Sequence, residues 1–217
     1  MSSRIVRRRL RRDESGMTLV ELLVSMSVFT LCMTVVFGAV ILVVRKSTDV
    51  QKSADVTSAL RLAMSQIDRQ VRSGNVLFSP AGETTAGCAT SGANSGTCMR
   101  VFTQSNGTEK CVQWQIIIDP ASPTTKLLRT RSWATDWATS GDLTGWSTVA
   151  RGLTLEPGID PFTLQGASTP YKERLLDVRL VAHDPRRNAD VVEQSSMSGR
   201  NTSYGYNSAQ CSLIPTA

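Results

Sequence analysis

No proline occurs before Pro80 in this chain of 217 residues, and only Gly16, Gly38 and Gly74 appear as glycines over the same stretch. Inside a helix, proline costs about 3 kcal/mol and glycine about 1 relative to alanine. Their scarcity permits one long helix from about residue 17 to about residue 73. Charge is also missing: the 23 residues from Leu22 to Val44 carry none. At about 1.5 Å per residue, such a run crosses a hydrocarbon core about 30 Å thick. Histidine occurs once, as His183, and there is no His-x-x-x-His pair, no Cys-x-x-Cys pair and no Gly-x-Ser-x-Gly elbow. Metal-assisted hydrolysis, zinc binding and acyl transfer therefore find no motif to rest on. Asp177 and Asp184, near His183, read as strand-end and turn residues. The expectation is no enzyme: no catalytic residue, no cofactor and no metal.

What is present is concentrated at the N-terminus. Arg4, Arg7, Arg8, Arg9, Arg11 and Arg12 precede the uncharged run, and only Arg45 and Lys46 follow it closely. Excess positive charge stays on the cytoplasmic side of a membrane, so residues beyond 46 are expected outside. A secretory signal peptide has an apolar core of about 7–15 residues and small residues before its cut. This run is longer, and no small-x-small site follows it. A plain signal anchor fits the length but explains neither Gly16 nor Glu21. A carboxylate at mid-membrane depth costs roughly 2.5–3.5 kcal/mol on insertion scales, and such residues are usually functional. Snorkelling of Glu21 to the cytoplasmic interface is the plain alternative, because it lies only four residues beyond Met17.

The residues around that carboxylate read Gly16-Met17-Thr18-Leu19-Val20-Glu21-Leu22-Leu23-Val24. This segment resembles the class III leader junction of type IV prepilins and type II secretion pseudopilins. The resemblance implies that a prepilin peptidase cuts between Gly16 and Met17 and that the new Met17 amine is methylated. It also implies that Glu21 pairs with the N-terminal amine of a neighbouring subunit during assembly. Glycine at the cut has a simple rationale, since a residue without Cβ lets another backbone approach. A buried carboxylate costs less beside an opposite charge, and the freed amine has an ordinary pKa of about 7.7–8.0.

The net charge of +6 and pI of about 9.4 invite a nucleic-acid reading. Residues 1–16 contribute +4 of that charge, and the rest of the chain only +2. Arg129/Arg131 and Arg186/Arg187 are isolated pairs, read as solvated surface rather than a basic patch. No nucleic-acid partner is expected. Of five cysteines, Cys32 lies in the apolar run and is expected to pack as a small hydrophobe. Cys88, Cys98, Cys111 and Cys211 lie outside, where disulfides persist. Four cysteines allow three pairings, and the sequence alone does not choose. We favour Cys88–Cys98, closing a Gly/Ser/Thr-rich loop, with Cys111–Cys211 tying the tail to a strand. Their spacings do not suit zinc.

Four segments are expected: a leader over 1–16, a membrane-spanning helix half over 17–44, an amphipathic half over 45–74 and a sheet domain over 75–217. Val56, Leu60, Ala63, Ile67 and Val71 recur at helical spacing, a stripe suited to burial against a sheet. Gly74-Asn75 reads as the helix stop, and residues 80–97 as a loop. Strand candidates are 99–104, 111–119, 126–133, 146–155, 162–165, 175–183 and 191–198. Asn106-Gly107 signals a hairpin between the first two, and 134–145 reads as a surface loop. The tail beyond 199 is expected to be irregular apart from its cysteine. A helix followed by an antiparallel sheet is an α+β order.

That order also looks like the pilin family, with its long N-terminal helix packed on an antiparallel sheet. Residues 59–74 are similar to the helix end of J-type minor pseudopilins and related minor pilins. The chain lacks the proline that major pilins often carry in the membrane helix, and its outer domain is larger, which points to a minor subunit. Three functions follow. The leading one is a structural subunit of a type IV pilus or type II secretion pseudopilus, made in the bacterial cytoplasmic membrane as a single-pass protein. The second is a tip module, an adhesin or a DNA- or substrate-binding minor pilin, suggested by Trp133, Trp137 and Trp146; aromatics there more often close a core. The third, a membrane-anchored enzyme, has no motif behind it.

Overall fold

The computed structural model describes residues 16–83, 88, 96–104, 107–166, 174–184, 186–199 and 209–215. It divides into two units, Met1–Thr48 and Asp49–Ala217. Helix α1, Leu19–Arg72, contributes to both. Within the first unit its apolar side chains are exposed, and the helix is long and apolar enough to cross a membrane. Ser25, Ser27, Thr30 and Thr34 turn their hydroxyls onto carbonyls three or four residues back, at 2.8–3.0 Å. A donor satisfied this way is not carried bare into lipid. The Cys32 thiol is free and exposed. It lies on the apolar surface of the helix, among side chains that are likewise exposed.

The second unit is the α+β arrangement expected. From Asp49 onward α1 packs on an antiparallel sheet of β1 (Gly74–Leu77), β2 (Cys98–Thr103), β3 (Lys110–Asp119), β4 (Ser122–Trp133), β5 (Ser147–Thr154), β6 (Phe162–Gln165), β7 (Leu175–Asp184) and β8 (Ala189–Ser198). The order is β1-β2-β3-β4-β5-β7-β6, with β8 paired along β7. A 3-10 turn covers Pro80–Gly82, and a four-residue helix α2, Trp137–Ser140, interrupts the expected surface loop. The periodic stripe of α1 is the buried one: Leu60, Ala63, Ile67 and Val71 are fully covered, and Val56 packs against them. They meet Met99, Val101, Val112, Trp114 and Ile116 from the strands. Inside this core Trp114 Nε1 donates to Gln70 Oε1 at 2.6 Å, so the buried indole brings no unmet donor.

The helix stops earlier than Gly74-Asn75 suggested. It ends at Arg72, and β1 begins at Gly74 with Asn75 buried in it. The last turn is satisfied by hydroxyls: Ser73 Oγ donates to Arg69 O at 2.8 Å and Thr103 Oγ1 to Gln70 O at 2.9 Å. Gly74 serves close approach, since a Cβ there would lie 2.8 Å from Val71 O and 3.0 Å from Val101 Cγ1. The other strands match expectation within a few residues, save that β4 starts at Ser122 rather than 126. Pro123 is tolerated because it stands at the strand's beginning, beside a bulge at Ile118/Asp119. β2 and β3 pair as a hairpin; Gly107 has φ +79°, while Ser105 and Asn106 lie outside the described residues. So do the leader arginines, most of the 80–97 loop and 200–208 of the tail.

Where α1 enters this unit, two contacts bind it to the turn after β7. Asp49 and Arg186 are 3.3 Å apart. Asp184, 1% exposed, has its carboxyl held below the ordinary range chiefly by the Ser53 hydroxyl. Burial opposes this, and the backbone N–H groups of Arg186 and Arg187 and the charge of Arg187 assist it. Asp119 is likewise held low by Arg151, which contacts both its oxygens at 2.7 Å.

Two predictions follow from this packing. Ile67→Ala should cost about 2–5 kcal/mol in denaturant unfolding, whereas Leu62→Ala, on the exposed side of the helix, should stay within about 0.5. Because the folded pKa of Asp184 is lowered, its contribution is complete above the ordinary aspartate value of about 3.9 and is lost as pH falls through the lowered one. The unfolding midpoint should therefore drop below about pH 4, and Asp184→Asn should drop less by its share.

Candidate functional site

The N-terminal junction is built by the start of α1. Gly16, Met17 and Thr18 precede the helix and are exposed, and the helix begins at Leu19. Thr18 is the cap: Glu21 N donates to Thr18 Oγ1 at 3.3 Å, and Leu22 N to Thr18 O at 3.1 Å. Threonine followed three residues later by glutamate is the capping-box spacing, a signal in the sequence that the reading above did not use. Glu21 stands in the first turn, where the helix dipole favours a negative charge. Among the described residues it has no cationic partner. A Cβ built on Gly16 meets nothing within 4 Å, and its backbone is not left-handed. The fold therefore has no need for glycine at this position, unlike Gly74.

The remaining candidates lie elsewhere and are structural. Cys88 is bonded to Cys98 and Cys111 to Cys211, the favoured pairing. Glu83, Cys88 and Cys98 are close enough to suggest a metal site, but both sulfurs are already in a disulfide and offer no thiolate. His183 Nδ1 lies 2.9 Å from Asp190 on the exposed β7–β8 pair, and Asp177 accepts from Gln165 at 2.5 Å and from Ser196.

The tryptophans divide. Trp114 and Trp133 are buried, whereas Trp137 and Trp146 are half-buried. Trp133 joins Val76, Phe102, Cys111 and Cys211 in a second core on the sheet face away from α1. The expected solvated pair Arg129/Arg131 is corrected here. Arg131 is 3% exposed and Arg129 half-buried. Strand alternation places both on that reverse face beside the second core, and the tail, which contributes Cys211 and Ile214, reaches Arg131 through Pro215 O. The cover comes from residues some 80 positions away, which local patterning does not reveal. Arg186 and Arg187 are exposed as expected, and each meets an aspartate.

Residues 11–37 match the prokaryotic N-terminal methylation motif. No curated protein and no solved structure matches the chain. The N-terminal region is thus a type IV prepilin-like class III leader joined to an apolar helix. Removing its cap should loosen the first turn: Thr18→Ala should cost about 0.5–2 kcal/mol of local stability, read as faster amide exchange at residues 20–22 in micelles, with no change at residues 60–71.

Proposed function

We propose that this chain is a minor pilin or pseudopilin, a structural subunit that a prepilin peptidase processes and that assembles with other such subunits into a type IV pilus or a type II secretion-type pseudopilus. The observation that carries the reading is the motif match over residues 11–37. The setting of Gly16 supports it, since an exposed glycine free of any need within the fold suits recognition from outside. Hydrolysis of the Gly16–Met17 amide frees the Met17 amine, which is then methylated and remains able to carry charge. The uncharged run holds the subunit in the cytoplasmic membrane before assembly, with the arginine-rich side inside. Two disulfides agree with an outer domain in an oxidising compartment.

Glu21 is the assembly contact in this reading. Carried into an apolar bundle of helices, its carboxylate needs a cation, and the Met17 amine of a neighbouring subunit supplies one. The pair also sets axial register between helices. The J-type likeness of residues 59–74, the size of the outer domain and the absence of a membrane-helix proline favour a minor subunit.

Mass spectrometry of the chain isolated from its host should find a mature N-terminus at N-methylated Met17; an intact leader in assembled material would overturn the proposal. Glu21→Ala should leave cleavage unchanged and lower incorporation into filaments at least about tenfold, the loss expected when one close charge pair is removed. Normal incorporation of that variant would remove the assigned role of Glu21.

A further inference from the structure

The sheet face turned away from α1 carries two guanidinium groups that no carboxylate among the described residues balances. The register sets Arg100, Gln113 and Arg131 in one cross-strand row and Cys98, Gln115 and Arg129 in the next. Arg129 donates from Nε and Nη2 to Gln115 Oε1 at 3.0 and 2.7 Å. Arg131 donates from Nε to Gln113 Oε1 at 2.8 Å and from Nη2 to Pro215 O at 2.6 Å. All these acceptors are neutral. The Trp146 ring centre lies 4.1 Å from one guanidinium carbon and 4.4 Å from the other. By contrast Arg100, Arg151, Arg179 and Arg186 each meet a carboxylate within 3.3 Å.

Sheltering a cation without a counter-charge is costly, and amide dipoles and an indole face offset only part of that cost. Burial, and for Arg131 the nearby charge of Arg129, lower the affinity of both groups for their protons. An anion brought to this spot would be held more strongly than at an ordinary surface arginine. Arg131 is closed off. Arg129 is half-buried, and its row continues across β5 to Thr148, which is exposed. Arg129 Nη1 meets no acceptor among the described residues. The Nε–Nη2 edge is taken by Gln115, so the accessible donor is Nη1, beside a hydroxyl and a tryptophan ring whose face the guanidinium covers. A single guanidinium donor of this kind suits one carboxylate through a charge-assisted hydrogen bond. It does not suit a nucleic acid, whose binding draws on several phosphate contacts along a basic stripe.

We propose that Arg129, with Trp146 and Thr148, is a docking point for a carboxylate on an acidic segment of a protein partner. This goes beyond the assembly reading and does not depend on leader cleavage or on Glu21.

The test uses the full chain in detergent micelles with a hexaglutamate peptide as probe. Addition should shift the Arg129 guanidinium NMR signals and change tryptophan fluorescence, saturably and less at higher salt. Arg129→Gln should weaken binding at least about tenfold, in line with loss of a charge-assisted hydrogen bond. Arg129→Lys should recover only part of it, and Arg69→Gln, an equal charge change on the exposed face of α1, should leave it within about twofold. Absence of an Arg129 shift in the unmodified chain overturns the proposal, whether or not Arg129→Gln folds. Equal loss in Arg69→Gln overturns it as non-specific charge attraction. Tighter binding of a thymidine oligonucleotide through Arg129 overturns it in favour of nucleic acid.

Discussion

Four side chains of α1, Leu60, Ala63, Ile67 and Val71, pack on one face of the sheet, and the organisation of the outer unit depends on that contact. Large apolar side chains removed from water contribute about 1.5–3 kcal/mol each, and no other buried apolar cluster in this unit is as extensive. The contact also fixes where the helix ends. Where β1 enters the sheet, a Cβ on residue 74 would lie 2.8 Å from Val71 O and 3.0 Å from Val101 Cγ1, which glycine avoids. Hydroxyls of Ser73 and Thr103 then take up carbonyls of the final turn. The polar pair Gln70–Trp114 sits within the same seam. A buried donor and acceptor matched in this way favour one rotation of the helix over neighbouring ones, since any other leaves an indole N–H without a partner.

The sheet's other face follows different rules. It has a small apolar cluster around Phe102, Trp133 and the Cys111–Cys211 bond, and beside it a grid of arginine and glutamine. An antiparallel sheet can leave one face to water, but here Trp137 of the short helix α2 packs on the second cluster. The tail supplies the second cover. It is held by the disulfide, by Arg100 to Cys211 O, by Arg131 to Pro215 O and by Trp137 Nε1 to Leu213 O at 3.0 Å. A cross-link over a separation of 100 residues stabilises by roughly 2–5 kcal/mol. A polar tail with little apolar surface of its own depends on such directional and covalent ties.

Legibility differed along these lines. The stripe on α1 was readable because helical periodicity is local, and most strands because alternation and turn residues are local too. The junction was readable because its residues adjoin in sequence: Gly16, Met17 and Glu21 lie within six positions. β1 was missed because four residues, Gly74–Leu77, carry no alternation to detect and are strand only through pairing with β2. The burial of Arg131 was missed because its environment is assembled from β3, the residue before β5 and Pro215. Reading a charged pair as solvated is a sound local prior. It failed where long-range pairing brought neutral acceptors and an aromatic ring to the guanidinium groups.

The two units place opposite demands on polar residues, and the sequence answers each differently. Along the apolar part of α1, serine and threonine hydroxyls satisfy themselves on their own helix, so they add no demand for partners. Glu21 is the exception. Its backbone N–H is met by Thr18, but its carboxylate has no cation within the described residues. In the outer unit the buried aspartates are matched internally, Asp184 by Ser53 and Asp119 by Arg151. Among the described residues, the Glu21 carboxylate at the head of the helix and the Arg129 and Arg131 guanidinium groups on the reverse face of the sheet meet no opposite charge. Internal pairing elsewhere is not complete, since Trp133 Nε1 and Asp184 Oδ2 are buried without a hydrogen-bond partner among the described residues. An unbalanced charge inside a membrane, or half-buried in a sheet face, is stable in proportion to what it meets outside the chain. The two places differ in setting, one an exposed helix start and the other a sheltered row on the sheet, and they carry opposite signs of charge.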